Sequence, residues 1–545
     1  MFSVEIKISL EKEMKLKNEL KIILLSLVAI QQFDFSEGSR ILAAFFFPAR
    51  SHFMTTHSII RELVKRGHEV TFITPFSLAK ENLGSNYTEI VFDQYAIWPV
   101  VQELTNTNSV LEMTDVSGFT FLRMVYLIGT LTTDFAFEQP AIQAIINARD
   151  KVGKYDLLLA EQFHNEGALI LGHLYQIPVI TVCTFGHSHY MSGLFGSVAP
   201  LSFVPHIFLP YTERMSLWER LENVVMSVSE ELLRKFSHYP KQDAILKKHF
   251  SKLLDRVPTI RELENNVSVI LMNLFMPLLS PRPLTYNMIP VGGIQIPKPK
   301  ALPENLQKYL DGATHGAIYF SLGSQVRSSE LPPKKLKIFL DVFGTLKQRV
   351  LWKFEEESLT NLPANVMVQK WMPQADILAH PNVMLFISHG GPNGFQEALQ
   401  YGVPVLGMPI YADQYPTINK GKQEGLALVM DYRKITEEEL RSNLLELLEN
   451  PKFRNNMKQA SKVFRDRPLS AMDTAMYWIN YVIEHRGAPH LISVGAELTW
   501  YQFYLLDVIG LAFAVVLLPI LALLFICRKS SKKTATSPKR KLKKN

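Results

Sequence analysis

The chain has 545 residues, 47% of them hydrophobic and 20% charged, with a formal net charge of +7. That composition excludes a disordered chain, and the length leaves room for more than one domain. Nine Lys and Arg residues fall within 528–545, and without that acid-free tail the +7 becomes −2, so the basic balance is no sign of nucleic-acid binding.

In chain order, Ile22 to Ile30 (IILLSLVAI) follows Lys15, Lys17 and Lys21. A short apolar run behind a basic stretch has the pattern of a signal peptide and is too short to span a bilayer. Cleavage is expected near residues 36–38, with Met14 as an alternative start. Arg40 to Phe47 then reads as a buried strand, Ser51 to Arg66 has helical spacing, Gly67-His68 makes a turn, and Glu69 to Thr74 is a second strand. Such a β-α-β unit implies a parallel sheet covered on both faces. The grammar recurs at Tyr155 to Ala160, a helix around Gly167 to Tyr175, and Pro178 to Cys183. Residues 200–255 read as mostly helical. The proline-rich stretch from Pro277 to Pro303 reads as an interdomain linker. A second β-α series follows, with strands expected at 316–321, 350–354, 366–369, 383–388, 404–408 and 426–430, and a helix at Thr436 to Glu449. A last helix, 469–486, is expected to cross back to the first unit.

Val508 to Cys527 is free of charge, and at about 1.5 Å per residue it spans roughly the 30 Å of a bilayer core. Trp500, Tyr501 and Tyr504 precede it, where amphipathic rings favour the interface, and the cationic tail after it is expected to stay cytosolic. Both ends predict a single-pass type I membrane protein. Lys541 and Lys543 resemble a dilysine retrieval signal of the endoplasmic reticulum, and Asn86-Tyr87-Thr88 and Asn266-Val267-Ser268 are glycosylation sequons suited to the lumen. Cys183 and Cys527 are the only cysteines. Since Cys527 ends the apolar segment, no intrachain disulfide is expected. The expected partition is a signal segment (1–37), a first α/β domain (38–280), a linker (281–303), a second α/β domain (304–466), a return helix and membrane-proximal segment (467–507), a transmembrane helix (508–527) and a tail (528–545).

Chemistry concentrates in Phe386 to Gln414 (FISHGGPNGFQEALQYGVPVLGMPIYADQ). A strand ends at Ser388-His389, glycines follow, and a helix starts near Asn393-Gly394. A glycine turn at a helix N-terminus offers free N–H groups to a phosphate. The same pattern also serves an ordinary strand-to-helix turn.

The window as a whole, with Trp371-Met-Pro-Gln374, Phe320-Ser-Leu-Gly-Ser324, Ser51-His52 and the Leu498 to Gly510 run, resembles the UDP-glycosyltransferase family, which includes the animal UDP-glucuronosyltransferases. The resemblance covers nearly everything from Arg40 to the tail. It implies a GT-B fold, two Rossmann-like doubly wound domains facing a cleft, the first for the acceptor and the second for the UDP-sugar. It places Trp371 against the uracil, Gln374 at the base edge and Glu397 on the ribose hydroxyls. His389, the N–H groups at Gly391, Asn393 and Gly394, and Ser321 or Ser324 are expected on the diphosphate, and Asp413 and Gln414 on the sugar. His52 is expected to be the general base for an acceptor hydroxyl, oriented by a carboxylate. That position holds Glu161 where vertebrate members have Asp, one methylene longer. The implied reaction is inverting displacement at the anomeric carbon, with no cofactor or metal beyond the UDP-sugar; the nearest candidate for zinc, His187-Ser188-His189, is not expected to bind it. The expected partners are the UDP-sugar, a small lipophilic acceptor and membrane lipid, and a homo-oligomer is compatible with the resemblance. Both glucose and glucuronic acid remain open as the sugar, with Phe320 to Pro332 closer to invertebrate members and favouring glucose. A Gly-x-Gly-x-x-Gly turn after the first strand would mark a nucleotide-dependent oxidoreductase, and Pro48-Ala-Arg-Ser-His52 stands there instead. The rival reading is a UDP-sugar- or lipid-binding membrane protein without turnover, which the fold alone does not exclude.

Overall fold

The computed structural model describes residues 38–534 except 149, 150, 276, 279, 357 and 358. The expected signal segment and the Lys541 and Lys543 signal lie outside these described residues. Two parallel sheets organise the chain. The first joins β1 (Arg40–Ala44), β2 (Glu69–Thr74), β3 (Tyr87–Val91), β4 (Leu157–Glu161), β5 (Val179–Cys183), β6 (Val267–Met272) and β7 (Met288–Pro290) in the order β3-β2-β1-β4-β5-β6-β7. The second joins β8 (Ala317–Ser321), β9 (Arg349–Lys353), β10 (Val366–Gln369), β11 (Val383–Ser388), β12 (Val405–Gly407) and β13 (Ala427–Val429) in the order β10-β9-β8-β11-β12-β13. The helices that matter below are α1 (Arg50–Lys65), α2 (Gly118–Glu138), α3 (Leu217–Leu233), α4 (Tyr239–Phe250), α5 (Pro392–Tyr401), α6 (Gln414–Gln423), α7 (Ala471–Glu484) and α8 (Leu506–Thr534).

The strands form where the sequence is continuously apolar, because helices cover both faces of each sheet. β4 and β5 are buried at every position. Three strands go beyond those expected from the sequence. β3 (YTEIV) is a half-exposed edge strand, β6 is buried throughout, and β7 lies inside the proline-rich stretch. That stretch is therefore more than a linker: its three-residue strand closes the edge of the first sheet, a place where Pro290 costs no ladder bond. Residues 200–216 are turns and loop rather than helix, and the helical part begins at α3.

α7 packs among residues of the first sheet and α1. Met476, Ile479 and Val482 are fully or almost fully buried against Ile41, Leu157, Ile180, Ile59 and Leu63. Burying three such side chains contributes roughly 5–9 kcal/mol, which ties the end of the second domain to the first. Leu506–Lys529 of α8 has a mean hydropathy of 3.0 and none of it is buried, making it one helix among the described residues long and apolar enough to cross a membrane. Asn86 and Asn266 are both exposed.

Candidate active site

In each sheet the strand order reverses direction between two central neighbours, β1 and β4 in the first and β8 and β11 in the second. Ligands of open α/β sheets bind beyond the carboxyl ends of strands at such points. His52 and Glu161 stand at the first of these points and Ser321, Ser324, His389, Gly391, Asn393, Gly394 and Glu397 at the second, while Trp371 and Gln374 follow β10 and Asp413 and Gln414 follow β12.

In the first sheet, Ala44 at the end of β1 pairs with Ala160 in β4, so the exit of β1 lies beside Glu161. After Phe45–Ala49 the chain enters α1, whose N-cap Ala49 has no side chain to offer, and His52 stands in the first turn. His52 Nδ1 is 2.6 Å from Glu161 Oε1. A carboxylate can only accept, so Nδ1 carries the hydrogen and Nε2 is left as the basic nitrogen. The extra methylene of Glu161 is thus accommodated: the carboxylate is nearly completely buried, and Thr184 Oγ1 donates to the same oxygen at 3.3 Å. Asp156 is engaged elsewhere, with Arg40 at 2.9 Å. Phe47 stacks on the imidazole at 5.3 Å and Phe163 meets it edge-on at 4.6 Å. The sequence reading missed both rings, although their places beside Ser51-His52 and after Glu161 were the available signal. The cavity on the apolar side of the pair, lined by Phe45, Phe53 and Phe76, holds about 10 Å³, no more than one water. An acceptor therefore has no room on that side.

In the second sheet, Ser321 ends β8 and pairs with Ser388 at the end of β11. Ser321 is buried, with Oγ accepting from Gly323 N at 3.3 Å, and Ser324 is partly exposed in the turn that follows. The glycines here make room for one ring. A Cβ on Gly391 would stand 2.5 Å from His389 Nε2, and one on Gly323 2.6 Å from His389 Cε1. Burial pushes the His389 pKa down to about 4, so the ring is neutral at pH 7, and its Nδ1 has no partner. α5 begins one residue earlier than expected, at Pro392 with Gly391 as N-cap. Proline has no N–H, and the backbone donors of Asn393 and Gly394 belong to the first turn, where no intrahelical partner exists.

The Asn393 side chain is not free for a ligand. Its Nδ2 donates to Ser51 O at 3.2 Å and Thr55 Oγ1 at 3.4 Å, and its Oδ1 accepts from Asn273 Nδ2 at 2.8 Å. Asn393 thus joins the helix of His52 to the helix after the glycine turn. Gln396 extends the seam, donating to Asn273 O at 3.0 Å and accepting from Gly293 N at 2.6 Å. Nothing in the sequence marked Asn273 or Gln396, because the bonds that join Asn273 to Gln396 and Asn393 of the other domain span more than a hundred residues.

Glu397 follows Asn393 by one turn and is 5% exposed. Burial raises its pKa to about 7, against the opposing amide of Gln374, which donates to it. Gly394 keeps clear of that contact, since a Cβ there would lie 3.3 Å from Gln374 Nε2. Trp371 is 64% exposed, an open indole face a few residues before Gln374. Asp413 is the N-cap of α6, and burial lifts its pKa to about 6 although the nearby His52 opposes the rise. Gln414 is buried with Oε1 already accepting from Ile410 N at 2.8 Å and Tyr411 N at 3.2 Å, so only its Nε2 remains for a ligand.

The His187-Ser188-His189 histidines make separate hydrogen bonds, His187 Nε2 with Ser192 Oγ and His189 Nε2 with Val204 O, both at 2.9 Å. Asp134, Glu138 and His249 are close enough together to hold a metal ion, but Lys248 already pairs with both carboxylates.

Comparison with known proteins agrees with this geometry. Residues 45–541 match the family described as UDP-glucoronosyl and UDP-glucosyl transferase. The UDP-glycosyltransferase UGT5 of Dactylopius coccus is 35% identical over 86% of this chain and 88% of its own length. Human UDP-glucuronosyltransferase 1A8 is 30% identical over 86% and 87%. Among solved structures, glycosyltransferase VinC in complex with dTDP superposes with a TM-score of 0.56 at 17% identity, covering 82% of this chain and all of that one, a likeness of GT-B fold. The chain belongs to the UDP-glycosyltransferase family, enzymes that transfer a sugar from a UDP-sugar.

Proposed function

We propose that this enzyme transfers glucose or glucuronic acid with inversion from the UDP-sugar to a hydroxyl of a small lipophilic acceptor, with His52 as base. The observation that carries the reading is the 2.6 Å contact between His52 and a buried Glu161. His52 Nε2 takes the acceptor proton as the oxygen attacks the anomeric carbon, and Glu161 stabilises the imidazolium that results. UDP leaves with its uracil on Trp371, its ribose on Glu397 and its diphosphate at the start of α5. There the helix dipole, the N–H groups of Asn393 and Gly394 and a neutral His389 meet the leaving charge without a metal. Asp413 and the remaining Gln414 amide hydrogens bind sugar hydroxyls. α8 anchors the protein in the endoplasmic reticulum membrane, with both domains lumenal and lipophilic acceptors drawn from the same bilayer.

The test supplies UDP-glucose and UDP-glucuronic acid in parallel, with a lipophilic phenol, to membranes bearing the full chain. UDP release and the anomeric configuration of the product are measured. Turnover with one donor and a β-linked product from the α-linked sugar supports the reading. UDP binding without turnover of either donor, across a panel of phenols and alcohols, favours the binding-protein alternative.

A further inference from the structure

α3 is amphipathic in the wrong sense for a helix on the surface of a water-soluble domain. Apart from Met226, its buried face is polar, with Asn223, Ser227 and Glu230, continued by Arg234 and His238 in the turn that follows. Its outer face carries Trp218, Leu221, Val225, Val228 and Leu232, ending at Phe236. These positions recur every three or four residues, so they form one stripe, about 26 Å long over the 17 residues of the helix. Trp218 is 75% and Phe236 69% exposed, one at each end. The helix is firmly set in this orientation by the Ser216–Glu219 capping box and by Glu230, which accepts from Tyr126 and Ser188 beneath it. Contiguous apolar surface of this kind marks an interaction site.

Its surroundings indicate the occupant. The helix His189–Leu194 packs against α3 on one side and against Val494–Ala496 on the other. Ser493 Oγ donates to Gly196 O at 3.5 Å, and Gly196 is so close to Ala496 that a Cβ would meet its backbone N at 2.5 Å. Ten residues after Ala496 the apolar α8 begins, preceded by exposed Trp500, Tyr501 and Tyr504. The corner of the first domain that carries α3 is therefore fastened to the segment leading into the membrane helix.

We propose that the outer face of α3 lies in the membrane interface, its stripe sunk into the lumenal leaflet beside α8. This rests on the reading of α8 as an anchor. An amphipathic helix lying in the interface buries its apolar face about 5–10 Å into the boundary of headgroups and acyl chains, with aromatic residues suited to that depth. Such a contact holds the acceptor domain against the bilayer in which lipophilic acceptors dissolve.

The test uses the full chain with Cys527→Ser in membranes. Cys183 is fully buried and burial pushes its thiol pKa up, so it does not label. A bimane fluorophore is placed through Val225→Cys or Phe236→Cys on the stripe, Leu517→Cys within α8, or Lys337→Cys on the exposed helix Pro333–Gly344 of the other domain. The expected result is strong quenching by doxyl-labelled lipid and protection from iodide at 225, 236 and 517, with the reverse at 337. Lipid quenching at 517 but iodide access at 225 and 236 would overturn the proposal while leaving the anchor intact. Absence of lipid quenching at 517 would sink the anchor reading itself, and the proposal with it. Protection from both quenchers at 225 and 236 would mean that protein, such as a second copy, covers the stripe, and would also overturn it.

Discussion

Glu397→Gln offers a sharp test because the same carboxylate is costly without UDP and useful with it. Glu397 is almost fully buried, and its one hydrogen-bond partner among the described residues is the Gln374 amide. Burial raises its pKa from 4.5 to about 7, helped by Asp376. The folded carboxyl holds its proton more tightly than the unfolded one. Its contribution to stability is therefore fullest below about pH 4.5, falls as pH rises toward 7, and levels off above. The rise corresponds to about 3 kcal/mol. A glutamine of the same shape carries no such cost. Without UDP, the variant should melt about 5 °C or more above the unsubstituted enzyme at pH 8, and within a degree or two of it at pH 5. With UDP the order reverses, because hydrogen bonds from ribose hydroxyls to an ionised carboxylate contribute about 1.5–3 kcal/mol each. Thermal unfolding of the detergent-solubilised full chain, at both pH values and with and without UDP, measures all four cases. Equal melting of the two proteins at pH 8 would refute the burial argument. An undiminished UDP-induced shift in the variant would refute the ribose contact.

Two further substitutions probe other parts of the site and a third the buried ion pairs of the first domain. Glu161→Asp shortens the arm that reaches His52 at 2.6 Å, and kcat should fall about 10²-fold or more with UDP affinity unchanged, as steady-state kinetics and calorimetry would show. Gly391→Ala would drive a methyl group to within 2.5 Å of His389 Nε2, on a ring already confined by Gly323; UDP should bind about tenfold more weakly by calorimetry. Arg234 is 1% exposed between Glu166 at 3.3 Å and Glu264 at 2.7 Å, with its guanidinium 3.9 Å over the Tyr190 ring. Arg234→Ala strands buried carboxylates and should cost about 3–5 kcal/mol of stability in chemical denaturation.

The sheets were legible where burial on both faces makes a strand continuously apolar, as in β1, β4, β5 and β11. β3 and β7 escaped for physical reasons. The first alternates because it is an edge, and the second is three residues long and ends in proline. The glycine turn after β11 was legible because its glycines and histidine are adjacent in sequence. Glu161 was legible only through the family resemblance, since a carboxylate at a strand end has no local signature. The seam made by Asn273, Asn393 and Gln396 was not legible at all. Its spacings exceed a hundred residues, and an asparagine at a helix start has a sufficient local explanation as a cap. The direction of α3 was not legible either: apolar residues at helical spacing form a stripe without saying which way it faces, and the structure turns it outward.

The central claim is that His52 removes the acceptor proton, and the most direct measurement is kcat for His52→Ala beside the dissociation constant for UDP. His52 lies in α1, while the residues proposed to hold UDP follow β8, β10 and β11 of the second sheet. The account predicts a fall in kcat of about 10²–10⁴-fold, as expected for loss of a general base, with UDP affinity unchanged. Turnover retained within a few-fold, in a variant that still binds UDP, would contradict it.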